Sequence, residues 1–349
     1  MEIIKSNKTK INDIEFKKLA FGKTFTDHMF LCEFKDGKWN SPKIIPYGDF
    51  SISPASSVFH YGQAIFEGMK AYKDIDGRVW LFRPEENFNR LNKSCKRMCM
   101  PEIDRDLFFN GIKELLTIDK EWIGQGDTVM YVRPVVFASE PTIVASPSKE
   151  YNFFILCSPS SAYYFNPLSV LIEDTYIRAA KGGVGFAKAA GNYAGSFYPT
   201  TLAIEKGYDQ IIWTDSVNHN LVEEAGTMNI FFRINDKLIT PKLTDTMLDG
   251  VTRKSIITVA KDIGIDVEER DIEVSEIIQE YENGNLNEVF GAGTAAVIIP
   301  ISSFGYKEKK YVLKNIDLFN PYGSKIKKKI TDIQNNLCED KYGWRYQVI

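Results

Sequence analysis

What most constrains this chain is that strand-like and helix-like stretches interleave along its whole length. Short runs rich in β-branched and aromatic residues recur at Phe30–Phe34, Val129–Phe137, Asn152–Cys157, Gln210–Thr214, Asn229–Ile234 and Glu288–Phe290, and each reads as a strand. Other stretches carry the spacing of one helix face. One begins at Pro84, whose missing N–H is no loss at a first helical position, and lines up Phe88, Leu91, Cys95 and Met98. A second, from about Asp106, turns Phe109, Ile112 and Leu116 inward. A third follows Thr252, buries Ile256, Ala260 and Ile263, and stops at Gly264. The expected fold class is α/β (α+β).

At 349 residues the chain is long for one core and comfortable for two domains. Ser, Pro, Tyr and Asn cluster over Ser158–Pro167 and mark a break. The expected division is a smaller N-terminal domain over 1–160, a linker over 161–172 and a larger C-terminal domain over 173–349. A net charge of -3 gives no reason to expect nucleic acid or an anionic membrane as partner. No apolar run reaches bilayer-spanning length. Met1–Phe16 lacks an apolar signal core, and the first arginine is Arg78, unlike an Arg-rich transit peptide. The cytoplasm is the expected address. The five cysteines form no C-x-x-C, and with three histidines they assemble no zinc spacing, so reduced structural thiols and no metal are expected. The lysines at 325, 327, 328 and 329 read as a solvated helix face.

The most informative stretch is Lys181-Gly-Gly-Val-Gly-Phe-Ala-Lys-Ala-Ala-Gly-Asn-Tyr193. Its glycines invite a phosphate-loop reading, which fails on spacing. A Walker loop needs Ser or Thr after its lysine, and a dinucleotide fingerprint needs a glycine where Lys188 stands. What remains is Lys188 walled by Ala187, Ala189 and Ala190, open to a planar ligand as a Schiff-base lysine must be. A surface lysine in a loop fits this segment equally well. Glu223 and Glu224 stand beside a glycine turn, where one carboxylate could keep a pyridine nitrogen protonated; solvated loop acids are the plainer alternative. Asp249-Gly-Val-Thr-Arg253 opens a helix, and the N–H groups there suit a phosphate. Arg90 suits one too if its helix turns it inward, and is a surface arginine if not. Gly291-Ala-Gly-Thr-Ala295 is a tight turn able to present N–H groups to an anion.

In combination these segments resemble the branched-chain aminotransferases, within the type IV (D-amino-acid aminotransferase-like) pyridoxal-phosphate enzymes. The likeness begins at Phe21–Met29 and continues through Ser56–Ala71, Leu81–Pro84 and Tyr131-Val-Arg-Pro134. It then takes in the Lys188 stretch, Glu224–Asn229 and Gly293-Thr-Ala295. It implies the two-domain type IV fold with the active site between the domains. It also implies pyridoxal 5'-phosphate as cofactor, and reversible transamination of L-leucine, L-isoleucine and L-valine with 2-oxoglutarate. Residue by residue, Lys188 resembles the Schiff-base lysine that also shuttles the proton, while Lys181 has no counterpart. Tyr193 resembles the partner of the cofactor's phenolic oxygen, Glu224 the acid on its pyridine nitrogen, and Thr227 a residue close to the ring. Arg90, the N–H groups of Val251 and Thr252, and the Thr294 side chain match the phosphate clamp. Phe21, Tyr61, Phe66, Tyr131 and Tyr163 match an aromatic substrate pocket. The turn at Thr294 and Ala295, with Arg133 nearby, matches the carboxylate site. Tyr61, Ile143 and Ala145 would come from a second subunit, which implies a homodimer with shared sites.

Two departures qualify the likeness. Ala296 and Ile299 stand where some relatives carry a C-x-x-C redox pair, so no thiol switch is expected. The run after Lys188 mixes the pattern of the smaller bacterial enzymes with a length like that of the larger relatives. Three rivals are a D-amino-acid aminotransferase or aminodeoxychorismate lyase of the same fold, a cofactor-carrying module without catalysis, and a nucleotide-binding module. The Phe21–Met29 and Tyr131–Pro134 segments argue against the first. The joint presence of Lys188, Tyr193 and Glu224 argues against the second, and the failed spacing against the third.

Overall fold

A computed structural model of the chain describes residues 1–16, 19–126, 128–161, 166–313 and 321–349. Two compact units divide it: Met1–Tyr163 with Ala187–Gly191 and Asp332–Ile349, and Tyr164–Phe186 with Asn192–Thr331. Every strand and helix expected from the sequence is present, with edges shifted by a few residues.

The first unit is built on a sheet whose main path runs Glu2–Ile3, Lys43–Pro46, His28–Lys35, Tyr151–Ser160, Val129–Ala138, Met69–Lys73, Val79–Phe82, Arg345–Gln347. Neighbours are antiparallel except the first pair. The helix Pro84–Arg97 starts at Pro84, with Glu85 and Glu86 in its first turn and Lys96 and Arg97 in its last, as the helix dipole favours. Its Leu91 joins Phe108, Ile112 and Leu115 of the helix Arg105–Ile118 in one core with Phe30, Val132 and Ile155 of the sheet. Each such side chain, fully buried, contributes roughly 1.5–3 kcal/mol. Period-two alternation along Val129–Ala138 commits Met130, Val132 and Val136 to that core. Tyr131 and Arg133 therefore share the opposite face.

The second unit holds a mixed sheet ordered Val222–Ala225, Gln210–Thr214, Leu168–Ile172, Val297–Tyr306, Leu286–Gly293, Met228–Ile234, Lys237–Pro241, Asp266–Arg270. An additional pairing of Val222–Ala225 with Met228–Ile234 closes part of it on itself, and sets Glu224 opposite Asn229. The helix Val251–Asp262 buries Ile256 and Ala260 and ends before Gly264, whose φ of +80° suits only glycine comfortably.

One expectation is corrected. Lys325, Lys328 and Lys329 are exposed, but Lys327 is half-buried and donates to the carbonyl of Ile298 at 3.0 Å. Its long apolar stem lets one lysine of the run lie along the fold while its ammonium reaches a backbone acceptor. Among the described residues no helix is long and apolar enough to cross a membrane. None of their His, Cys, Asp and Glu side chains gather in threes that could hold a metal.

Candidate active site

In the first unit the Lys188 segment is laid against the sheet. Ala189 bridges Ile65, the Phe66 N–H donates to the Lys188 carbonyl at 3.1 Å, and the Lys188 N–H donates to Ser94 Oγ at 3.0 Å. Ala187 and Ala189 are buried, as the small walls suggested, while Lys188 is half-buried and Lys181 exposed. Lys188 Nζ lies 4.7 Å from the centre of the Phe66 ring. Around it stand three other sequence-predicted residues. Arg133 lies 4.6 Å above Phe66 and donates to the Tyr131 hydroxyl at 3.0 Å. Phe21 meets Tyr131 edge-on at 4.7 Å. The Tyr131 hydroxyl lies against Gly68, where an added Cβ would sit 1.9 Å from it, so only glycine allows this approach. The result is an aromatic-walled cluster holding one guanidinium and one amine.

Arg90 is turned inward and buried. Its Nε and Nη2 donate to the two oxygens of Glu67 at 2.7 and 2.9 Å, a bidentate fork. Glu67 is fully buried and also accepts from Asn87 Nδ2 at 2.8 Å and the Gly68 N–H at 3.0 Å. Burial pushes its carboxyl up, but the charge and hydrogen bonds of Arg90, then Lys188 and Asn87, hold it below the ordinary value. Glu67 was not among the candidates read from the sequence. The signal available was an acid immediately before an obligatory glycine in an otherwise apolar stretch.

In the second unit Tyr193, Glu224 and Thr227 line one small cavity together with Arg178, Ser196 and Gly226. Glu224 is buried and receives Arg178 Nε at 3.0 Å on one oxygen, and the Leu248 N–H at 2.7 Å and Asn229 Nδ2 at 3.1 Å on the other. The rest of the Arg178 guanidinium donates to the carbonyls of Gly185 and Thr246. No periodicity announces Arg178; its role follows from the loop that folds it back onto Glu224. Glu223, the other acid of the pair, bonds to Thr246 instead. Asn229 Nδ2 also donates to the Leu248 carbonyl at 3.0 Å, and its Oδ1 packs close against Gly250 at the start of the helix Val251–Asp262. The first N–H groups of that helix, at Val251 and Thr252, follow a glycine cap with no side chain to occupy them. Thr294 and Ala295 sit half-buried in the turn between Leu286–Gly293 and Val297–Tyr306, which ends on Val297 with a left-handed φ of 60°. β-branched residues rarely accept that conformation. Tyr61 is exposed and its hydroxyl donates to the Ile143 carbonyl. Tyr163 lies outside the described residues.

Residues 64–304 match the family described as amino-transferase class IV. A probable branched-chain-amino-acid aminotransferase of Staphylococcus aureus (strain N315) is 47% identical over 336 residues, covering 95% of this chain and 93% of that protein. Branched-chain-amino-acid aminotransferase 2 of Bacillus subtilis (strain 168) is 42% identical over 335 residues, covering 95% and 92%. The crystal structure of the branched-chain aminotransferase from Thermoproteus uzoniensis with norvaline superposes with a TM-score of 0.77 at 25% identity, over 92% of this chain and 100% of that one. The chain belongs to the branched-chain-amino-acid aminotransferases of class IV.

Enzymes of this class work with pyridoxal 5'-phosphate, and the donor set fits that group. In the first unit a half-buried amine matches its carbonyl; in the second, a buried carboxylate facing a cavity with a phenol and a threonine hydroxyl matches its ring, and a helix start capped by a glycine matches its phosphate.

Proposed function

We propose that the chain reversibly transfers the amino group of L-leucine, L-isoleucine and L-valine to 2-oxoglutarate, releasing branched-chain 2-oxo acids and L-glutamate. The observation that carries this reading is the cluster of Phe21, Phe66, Tyr131 and Arg133 beside Lys188. Its aromatic walls suit a branched aliphatic side chain through burial and shape. Tyr131 and Arg133 give the same pocket a hydroxyl and a positive charge, which the carboxylate-bearing side chain of glutamate needs, since an unpaired buried carboxylate is costly.

When bound, pyridoxal 5'-phosphate supplies an electron sink for the charge left when the substrate's Cα loses its proton. Lys188 would hold the cofactor through its amine, and the same Nζ would take the substrate's Cα proton and pass it to the cofactor's C4′ carbon rather than back to Cα. Glu224, braced by Arg178 and Asn229, would keep the proton on the ring nitrogen. Tyr193 would hydrogen-bond the phenolic oxygen, with Thr227 close to the ring. Arg90, the N–H groups of Val251 and Thr252, and Thr294 would bind the phosphate. The N–H groups at Thr294 and Ala295 would bind the substrate α-carboxylate.

The working form is a homodimer, in which Tyr61, Ile143 and Ala145 enter the partner's site. In support, Phe59, Tyr61, Ile143 and Val144 expose large apolar side chains on segments joined by the Tyr61–Ile143 hydrogen bond. The proposed compartment is the cytoplasm, where its free cysteines stay reduced. Purified protein supplied with cofactor, 2-oxoglutarate and L-leucine should form glutamate. Turnover of D-alanine exceeding that of L-leucine overturns the reading.

A further inference from the structure

Glu223 has no part in the chemistry assigned above, yet it is built into the bracing of Glu224. It is buried on the strand Val222–Ala225, next to the site acid. Its Oε1 receives the Thr246 hydroxyl at 2.5 Å, and its Oε2, also buried, has no hydrogen-bond partner among the described residues. Thr246 Oγ1 in turn lies 2.7 Å from Thr244 Oγ1, where either can donate. The two hydroxyls can therefore run in either direction. When Glu223 is ionised they point toward it, and when it is protonated its O–H donates to Thr246 and they point away. Thr246 is also the residue whose carbonyl holds Arg178 Nη1 at 2.6 Å, while Arg178 Nε holds Glu224 at 3.0 Å.

We propose that Glu223 is a positioning residue for Glu224: a carboxyl group that, while it holds its proton, leaves the single charge of Arg178 to Glu224 alone. The charged groups that face it are Glu224 on its own strand, Arg178, and Asp215 just after the strand Gln210–Thr214. One guanidinium cannot neutralise two carboxylates, and an orphaned Oε2 gives the ionised form no other stabilisation. Burial pushes the Glu223 carboxyl up to about 7, with Glu224 and Asp215 pushing the same way and Thr246 and Arg178 opposing them. When Glu223 loses its proton, a second negative charge appears beside the Arg178–Glu224 pair and strengthens the hold of Glu224 on any proton it faces. The catalytic consequence rests on the reading of Glu224 given above; the protonation does not.

Two measurements separate these. In full-length protein carrying carboxyl-labelled glutamate, carbon NMR should show one carboxyl titrating near neutrality, and Glu223→Gln should lose it. Thr246→Val, which keeps the residue's shape but removes a hydrogen bond to the ionised form, should move that titration to higher pH. In the holoenzyme, kcat for L-leucine should show an inflection near pH 7 that Glu223→Gln loses, while KM changes less than about twofold. A wild-type protein whose glutamates all titrate below pH 5.5 overturns the proposal, as does a Glu223→Gln pH profile that superimposes on wild type. A neutral-range titration in a protein without leucine turnover supports the protonation and overturns the aminotransferase reading instead.

Discussion

Replacing Glu67 with Gln tests the buried fork that it forms with Arg90. Glu67 is fully buried and its two oxygens take Arg90 at 2.7 and 2.9 Å. An amide turns a donor toward Arg90 and leaves the guanidinium buried without its counter-charge. Breaking a buried pair from one side costs about 3–5 kcal/mol, a large share of the roughly 5–15 kcal/mol that holds a typical domain together. The pH dependence has a definite sign. The Glu67 carboxyl lies below its ordinary value of 4.5 in the fold, so its stabilisation is complete above that value and is lost as pH falls through the lowered one. Urea unfolding followed by tryptophan fluorescence should therefore show the deficit in full at pH 7 and a smaller one in acid. A double replacement by Met at Glu67 and Arg90 removes both charges together and should recover stability to within about 1 kcal/mol of wild type. Its affinity for pyridoxal 5'-phosphate in equilibrium dialysis should nevertheless stay at least about tenfold weaker if Arg90 has the phosphate-binding role proposed for it, since a charge-assisted donor is then lost. Glu67→Gln within about 1 kcal/mol of wild type at pH 7 refutes the energetic reasoning. A double mutant that binds the cofactor normally refutes the role of Arg90.

Lys188→Ala should keep the cofactor bound but lose turnover by at least roughly 10²–10⁴-fold, the share of proton transfer alone. Appreciable turnover in stopped-flow assays without added amine returns attention to Lys181. Tyr131→Phe removes the hydroxyl that accepts from Arg133. The KM for 2-oxoglutarate should rise about tenfold, and that for 4-methyl-2-oxopentanoate much less; equal increases contradict the account of the pocket. Asp74 is buried, and its side chain accepts from the backbone N–H groups of Asp76 and Arg78 and from the Arg78, Trp80 and Asn336 side chains. Burial raises its pKa, but these donors bring it down to about 2. Asp74→Asn should lower stability by about 2 kcal/mol at neutral pH, a deficit that should vanish as pH falls from 3.8 towards 2. An unfolding midpoint shift that persists in acid argues against the carboxylate as its source. Moderate peroxide should leave activity unchanged. Cys32, Cys95 and Cys157 are buried with their thiols pushed well up, and no C-x-x-C exists. Reversible inactivation restored by thiol points to Cys99, the exposed neighbour of Cys95.

The sequence by itself determined the features that depend on near neighbours. Pro84 starts a helix and Gly264 ends one because missing donors and left-handed backbone are local matters. The alternation along Val129–Ala138 put Tyr131 and Arg133 on one face, and their hydrogen bond follows from it. Ala187 and Ala189 mark the walls of Lys188 without any knowledge of the rest of the fold. Tertiary structure alone decided which charges meet. Glu67 with Arg90 and Arg178 with Glu224 are pairs between separate segments, and a buried ion pair leaves no period in the chain. The same holds for Glu223 and Glu224, adjacent in sequence and identical in side chain, yet Glu224 takes the ion pair with Arg178 Nε while Glu223 accepts the Thr246 hydroxyl. The packing of Ala187–Gly191 and Asp332–Ile349 with the first unit is likewise unreadable in the chain's order. Side-chain partners at such separations are chosen by sheet register and loop closure, which no local preference encodes.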